Sequence, residues 1–226
     1  MAAFTGGEVY KTEFEPMAYL EYFKFGRGTL GDESLTFVLK HYCKTFTLGA
    51  VTGHTLIDIG SGPTIYQLLS ACESFKEIIA SDYIDQNCQE LLKRLKNEPG
   101  AFDWTPVVQH VCELEGDRNK WAEKEGKLRG AIKRVLKCDV HKSNPLDPVV
   151  LPPADCLVSS LCLEAACKDH SSYCAALRNE FLRGALSATG FAIQEFDVLS
   201  RDDDTMQEIY HFSGMYFIVA RKEKAI

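Results

Sequence analysis

The sequence predicts an α/β fold built on a doubly wound, mostly parallel sheet. Three observations predict it. Short apolar runs alternate with helical patterns along most of the chain. One run, Leu56-Ile57-Asp58-Ile59, enters a turn carrying Gly60 and Gly62, and a helical pattern follows from Thr64. Several of the other runs end in a polar or acidic residue, as at Asp82, Asp139 and Ser160. Strand, glycine-rich loop and helix in that order bring bare backbone against a nucleotide-like ligand at the carboxyl end of a strand.

In chain order, residues 1–50 read as helical and aromatic. Tyr10, Phe14, Tyr19, Leu20, Phe23 and Phe25 fall about three to four apart. Glycines in 26–31 break this pattern before a second helix over 33–48. A strand over 55–59 leads into the glycine loop, then a helix to about residue 75. Residues 77–83 form a second strand ending in an acid, and 85–98 a helix with Leu91, Leu92 and Leu95 on one face. Helices over 105–116 and 122–134 follow, with Glu123, Glu125 and Lys127 expected on solvated positions. Strands are expected at 135–140, 155–161, 191–199 and 215–221. The whole of 1–226 reads as one domain, with 1–50 a helical lid on an α/β core over 51–226.

Composition bounds the function. The 226 residues are 46% apolar and 25% charged, enough for a packed core. A net charge of −7 without a basic arm argues against a nucleic-acid partner. Nine scattered cysteines contain no C-x-x-C pair and no zinc spacing, so no metal site is expected and the thiols read as reduced. The first residues lack the apolar stretch of a signal peptide, and no run reaches membrane-spanning length. A cytoplasmic monomer without a membrane partner is the expectation.

Four strand ends converge at the switch point of such a sheet. Gly60, Ser61 and Gly62 lie at the first. Asp82 lies at the second, about 20 residues on, where an acid accepts both hydroxyls of a ribose. Asp139 lies at the third, flanked by Cys138 and Val140, and Ser160 at the fourth. On spacing alone, Tyr10 and Tyr19 read as core aromatics, while Asn87 is equally a surface helix residue or a site residue, and Ser160 equally a core hydroxyl or a site residue. A dinucleotide loop asks for a third glycine, which Gly60-Ser61-Gly62-Pro63-Thr64-Ile65 lacks. Pro63 removes an N–H that would grip a pyrophosphate. Asp58 would repel a phosphate yet suits the amine of a methionine moiety. The loop therefore favours S-adenosylmethionine over NAD, and an NAD-dependent oxidoreductase is the disfavoured reading.

The run from Asp58 through Thr64 to Phe75 resembles the nicotinamide, indolethylamine and phenylethanolamine N-methyltransferase family. So do Phe102-Asp103-Trp104, the stretch from Val135 to Val140, and Leu151-Pro152-Pro153-Ala154-Asp155-Cys156. The nicotinamide and indolethylamine members look nearest. The resemblance implies a Rossmann-like methyltransferase sheet with a helical lid, and methyl transfer to the nitrogen of a small pyridine or arylalkylamine. It implies that Tyr10, Tyr19, Gly60, Ser61, Gly62, Thr64, Tyr66, Asp82, Asn87, Asp139, Val140 and Ser160 hold the cofactor, with Tyr19 also meeting the acceptor. No residue acts as a nucleophile, because proximity and orientation suffice. Phe23 falls where the nearest relatives carry a tyrosine.

One stretch is short. A complete sheet of this class needs roughly 35–45 residues of helix, strand, loop and helix before the strand at 191. Residues 167–190 provide about 24, suited to a single helix. The resemblance places the loss between Asn179 and Glu180, taking the fifth strand and part of the acceptor site. The two flanking helices are expected to fuse and the last strand to pair with the fourth, giving the order 3-2-1-4-7-6 in the family's strand names; the alternative is a gap or exposed edge beside the fourth strand. A shortened form that binds the cofactor without efficient transfer is the alternative function.

Overall fold

The computed structural model describes residues 7–26, 30–49, 51–162, 166, 191–200 and 214–222. Its centre is a four-stranded parallel sheet in the order β3-β2-β1-β4. The strands are β1 (Gly53–Ile59), β2 (Phe75–Asp82), β3 (Ile132–Lys137) and β4 (Cys156–Ser159). Leu56 faces Ile78 on one side and Cys156 on the other, and Ile59 faces Ser81 and Ser159. The two-residue period of a strand then divides the core. Leu56, Ile78, Ala80 and Val158 bury into one face with the N-terminal helices. Ile57, Ile59 and Ile79 bury into the other, with Cys138, Val140 and Leu146.

The N-terminal segment expected as a lid consists of α1 (Gly7–Glu13), α2 (Pro16–Leu20) and a 3₁₀ turn at Glu21–Phe23. Helix α3 (Leu30–Tyr42) continues into a π-helical turn at Cys43–Thr47. Helices α4 (Asp85–Leu95), α5 (Thr105–Leu114) and α6 (Trp121–Ala131) cover the sheet. Glu125 departs from the solvated position expected of it. Its carboxylate is nearly buried, paired with Arg94 and Arg129. On the same helix Lys124 is buried between the carboxylates of Glu73 and Glu115.

The helix expected after the glycine loop is absent. Two 3₁₀ turns replace it, Tyr66–Leu68 and Ala71–Glu73. The cause is local. The Gln67 side chain takes the Ser61 and Thr64 carbonyls at 3.1 and 3.4 Å, and the Leu68 N–H turns to Ile65 O at 3.0 Å. With the Thr64 carbonyl occupied, the (i, i−4) ladder of an α-helix does not start.

The expected order holds for 3-2-1-4, while its continuation 4-7-6 is corrected. Strands β5 (Phe191–Ser200) and β6 (Gly214–Lys222) pair antiparallel as a separate two-stranded sheet. Among the described residues β4 pairs only with β1. The hairpin packs on α3 instead: Phe217 is buried against Tyr42 and His41, with ring centroids 5.2 and 4.7 Å apart. The expected fused helix and the break between Asn179 and Glu180 lie outside the described residues.

Candidate cofactor site

Gly60 and Gly62 take φ of +70° and +60°, a region that costs an L side chain strain. Their bare faces serve different ends. A Cβ on Gly60 would stand 2.1 Å from Cys162 Sγ, so that face is filled by the chain itself and not held open for a ligand. A Cβ on Gly62 would meet only Tyr19 Cε1, at 3.9 Å, so here the backbone stays approachable beneath a ring of the lid.

The loop is held to β2. The Ser61 N–H donates to Ser81 O at 2.8 Å, and the Ser81 N–H donates back to Ser61 Oγ at 3.1 Å. Asp82 Oδ2 accepts the Gly62 N–H at 2.7 Å. Its Oδ1 accepts the Ile84 N–H and the Asn87 amide, each at 3.0 Å. Burial pushes the Asp82 carboxyl up, and these donors pull it back. Thr64 Oγ1 donates to Ser61 O at 2.8 Å, and the Tyr66 hydroxyl lies 2.9 Å from Ser160 Oγ. Asn87 is fully buried, unlike its surface reading, and its Oδ1 meets no partner.

Two residues do more than the sequence reading assigned them. Gln67 is buried and clamps the loop, its Nε2 donating to Asp58 Oδ2 at 2.8 Å as well as to the Ser61 carbonyl. Its signal was a polar residue inside the run Ile65-Tyr66-Gln67-Leu68-Leu69. Asp58 is wholly buried, and its Oδ1 has no partner. Burial pushes its carboxyl up to about 6, against the hydrogen bonds of Ser61 and Gln67. It therefore titrates closer to neutrality than a free carboxyl and, among the described residues, keeps one oxygen without a hydrogen-bond partner beneath the loop. An uncompensated buried carboxylate costs several kcal/mol of desolvation and is retained where a cation answers it.

The lid meets this loop through an aromatic column. Tyr10, Phe14, Tyr19 and Phe23 follow one another at 4.6, 5.4 and 5.2 Å, and Phe23 stacks on Tyr66 at 5.2 Å. Phe23 is buried here, so no hydroxyl is called for. Tyr10 lies beside Asp82 and Asn87, and burial pushes its phenol up to about 12. The lid is docked on the start of α4 by the Gln86 amide on Lys11 O at 3.0 Å and by Lys11 over the Tyr83 ring at 4.8 Å.

Asp139 and Val140 stand one strand further along, tied in by the Cys138 N–H on Asp82 O at 2.8 Å. A cavity of 590 Å³ opens there, bordered by Tyr83, Ile84, Lys137, Cys138, Asp139 and Pro145. Of the twelve expected cofactor residues it touches Asp139 alone. Asp139 Oδ1 accepts the His141 N–H at 3.0 Å, which orders the turn after β3. Among the described residues no group of His, Cys, Asp and Glu is arranged to hold a metal ion. No helix is long and apolar enough to cross a membrane.

Comparison with known proteins bears on this arrangement. A profile of the NNMT/PNMT/TEMT family matches residues 2–183. Nicotinamide N-methyltransferase of Sus scrofa is 60% identical over 194 residues, 85% of this chain and 73% of that protein. Indolethylamine N-methyltransferase of Mus musculus is 50% identical over 225 residues, 99% of this chain and 84% of that protein. Phenylethanolamine N-methyltransferase of Bos taurus is 50% identical over 169 residues, 73% of this chain and 60% of that protein.

Proposed function

Since the chain belongs to the NNMT/PNMT/TEMT family, we propose that it is an S-adenosylmethionine-dependent N-methyltransferase acting on a small pyridine or arylalkylamine. The observation that carries the reading is the buried Asp58 oxygen, without a hydrogen-bond partner among the described residues, beneath a loop pinned by Asp82 and met by Tyr19. Those groups fit the cofactor. Asp58 answers the ammonium of a methionine moiety, the Gly62 backbone admits close approach, and Asn87 Oδ1 offers a further acceptor.

When bound, the cofactor supplies a methyl group activated on a sulfonium. The residues of the chain bind and orient. Asp82 and Ser81 fix the loop, and Asp139 and Val140 border the base side at the end of β3. The rings of Tyr10, Tyr19 and Tyr66 would suit a cationic centre and would keep water from it. No side chain needs to take a proton from a pyridine acceptor, whose lone pair is free. An alkylamine must arrive neutral, so turnover on such acceptors rises with pH towards the amine's own titration. Tyr19, between Phe14 and Phe23, is positioned to touch acceptor and cofactor together. The free thiols of the seven described cysteines support a reducing, cytoplasmic setting, and we assign a monomer.

A radiolabelled methyl-transfer assay with nicotinamide and tryptamine tests the reading. Transfer to at least one is expected. Absence of transfer, with S-adenosylhomocysteine still bound in a calorimeter, would reduce the chain to a binding form. Binding of NAD in its place would overturn the cofactor assignment.

A further inference from the structure

His41, on α3, is set between two carboxylates of β5. Its Nδ1 lies 3.1 Å from Glu195 Oε1 and its Nε2 3.1 Å from Asp197 Oδ2. The ring is buried, stacked on Phe217 of β6 at 4.7 Å and met edge-on by Phe37 of its own helix at 4.6 Å. Lys44 also reaches Glu195, at 2.8 Å, and together with His41 holds that carboxyl below its ordinary range. These are the charged groups that face the imidazole among the described residues.

A neutral imidazole donates from one nitrogen and accepts at the other. Facing carboxylate oxygens on both sides, it would set a lone pair against a carboxylate. A ring that donates from both nitrogens answers both carboxylates. The ring contacts then lead inward. Phe217 stands 5.2 Å from Tyr42, Tyr42 stands 6.5 Å from Tyr66, and the Tyr66 hydroxyl reaches Ser160.

We infer that His41 is a positioning residue: its ring clasps the β5–β6 hairpin onto α3, and through Phe217 and Tyr42 it holds the Tyr66 wall of the cofactor site. Among the described residues the hairpin is not hydrogen-bonded to β4, so this clasp does the work that sheet pairing would otherwise do. The clasp stands on geometry alone. Only its effect on the ligand rests on the cofactor reading.

Native-state amide exchange of β5 and β6 at a single pH tests it. Protection should fall about tenfold or more in His41→Gln relative to the native chain, the scale of losing hydrogen bonds to charged partners. His41→Arg, which keeps two donors for the two carboxylates, should restore protection to within about threefold. Protection unchanged within about twofold in His41→Gln overturns the clasp. Calorimetry with S-adenosylhomocysteine should show affinity weaker by about threefold or more in His41→Gln and recovered in His41→Arg. Unchanged affinity beside lost protection overturns the positioning role. If that ligand does not bind at all, the cofactor reading fails while the exchange data still decide the clasp.

Discussion

Asp58→Asn measures how much folding free energy the site withholds. The Asp58 carboxyl sits at about 6 when folded against 3.8 when free, because burial penalises its charge. Two units correspond to roughly 3 kcal/mol at full ionisation. An acid raised on folding contributes stability that is complete below the free value and is lost as pH rises through the folded one. Between about pH 4.5 and 7.5 the native chain therefore loses about 2 kcal/mol from this group, while the asparagine variant loses none. The amide keeps the Gln67 bond and leaves its NH₂ unpartnered, a cost of about 1–3 kcal/mol that is the same at both pH values and cancels. Urea unfolding of both chains at both pH values gives the double difference. A value near 2 kcal/mol in favour of the variant at the higher pH is expected. A value below about 0.5 kcal/mol, or of opposite sign, would refute the account of a buried, unanswered charge. The same variant should bind S-adenosylhomocysteine about tenfold or more weakly at neutral pH, since the oxygen proposed to meet the ammonium is gone.

Other predictions follow from the loop and the core. Gly62→Ala should cost about 1–2 kcal/mol in urea unfolding, the strain of a left-handed backbone without a clash. Gly60→Ala should cost clearly more, because its methyl meets both Sγ and Cβ of Cys162, and Gly60→Ala with Cys162→Gly should recover the clash part of the excess. Asp82→Ala frees the Gly62 and Ile84 N–H groups together, and calorimetry should show S-adenosylhomocysteine affinity down tenfold or more. Lys124→Met leaves the nearly buried Glu115 carboxylate without this cation and Glu73 with Lys127 in its place. A loss of about 3 kcal/mol in urea unfolding at neutral pH is expected.

The parallel core was legible because its strands announce themselves twice, by apolar runs and by the polar residues that end them. Ser61, Asp82 and Ser160 came to one edge for that reason. Asp139 stands one strand over, at the mouth of a cavity the other eleven do not touch. The 3₁₀ turns after Gly62 were not legible. Helical spacing of Ile65, Leu68 and Leu69 is real, yet one buried glutamine takes the carbonyl that would have begun the helix. Asn87 read equally as surface, because nothing in sequence says that a polar helix residue will face Asp82. The hairpin strands were found and their mutual pairing followed. Their place on α3 depends on His41, Tyr42 and Phe217 meeting across more than 170 positions of chain, which a local pattern cannot express.

Leu20 and Phe23 belong at once to the lid and to the main apolar cluster, and Phe23 also approaches the buried indole of Trp104 at 5.9 Å. The lid is thus no flap on a hinge but an outer course of the same masonry as the core. Loosening it means thinning the protein's own hydrophobic body, so warming the chain and freeing its ligand are aspects of one event. Amino-acid changes at these two positions will move melting temperature and ligand residence time in step.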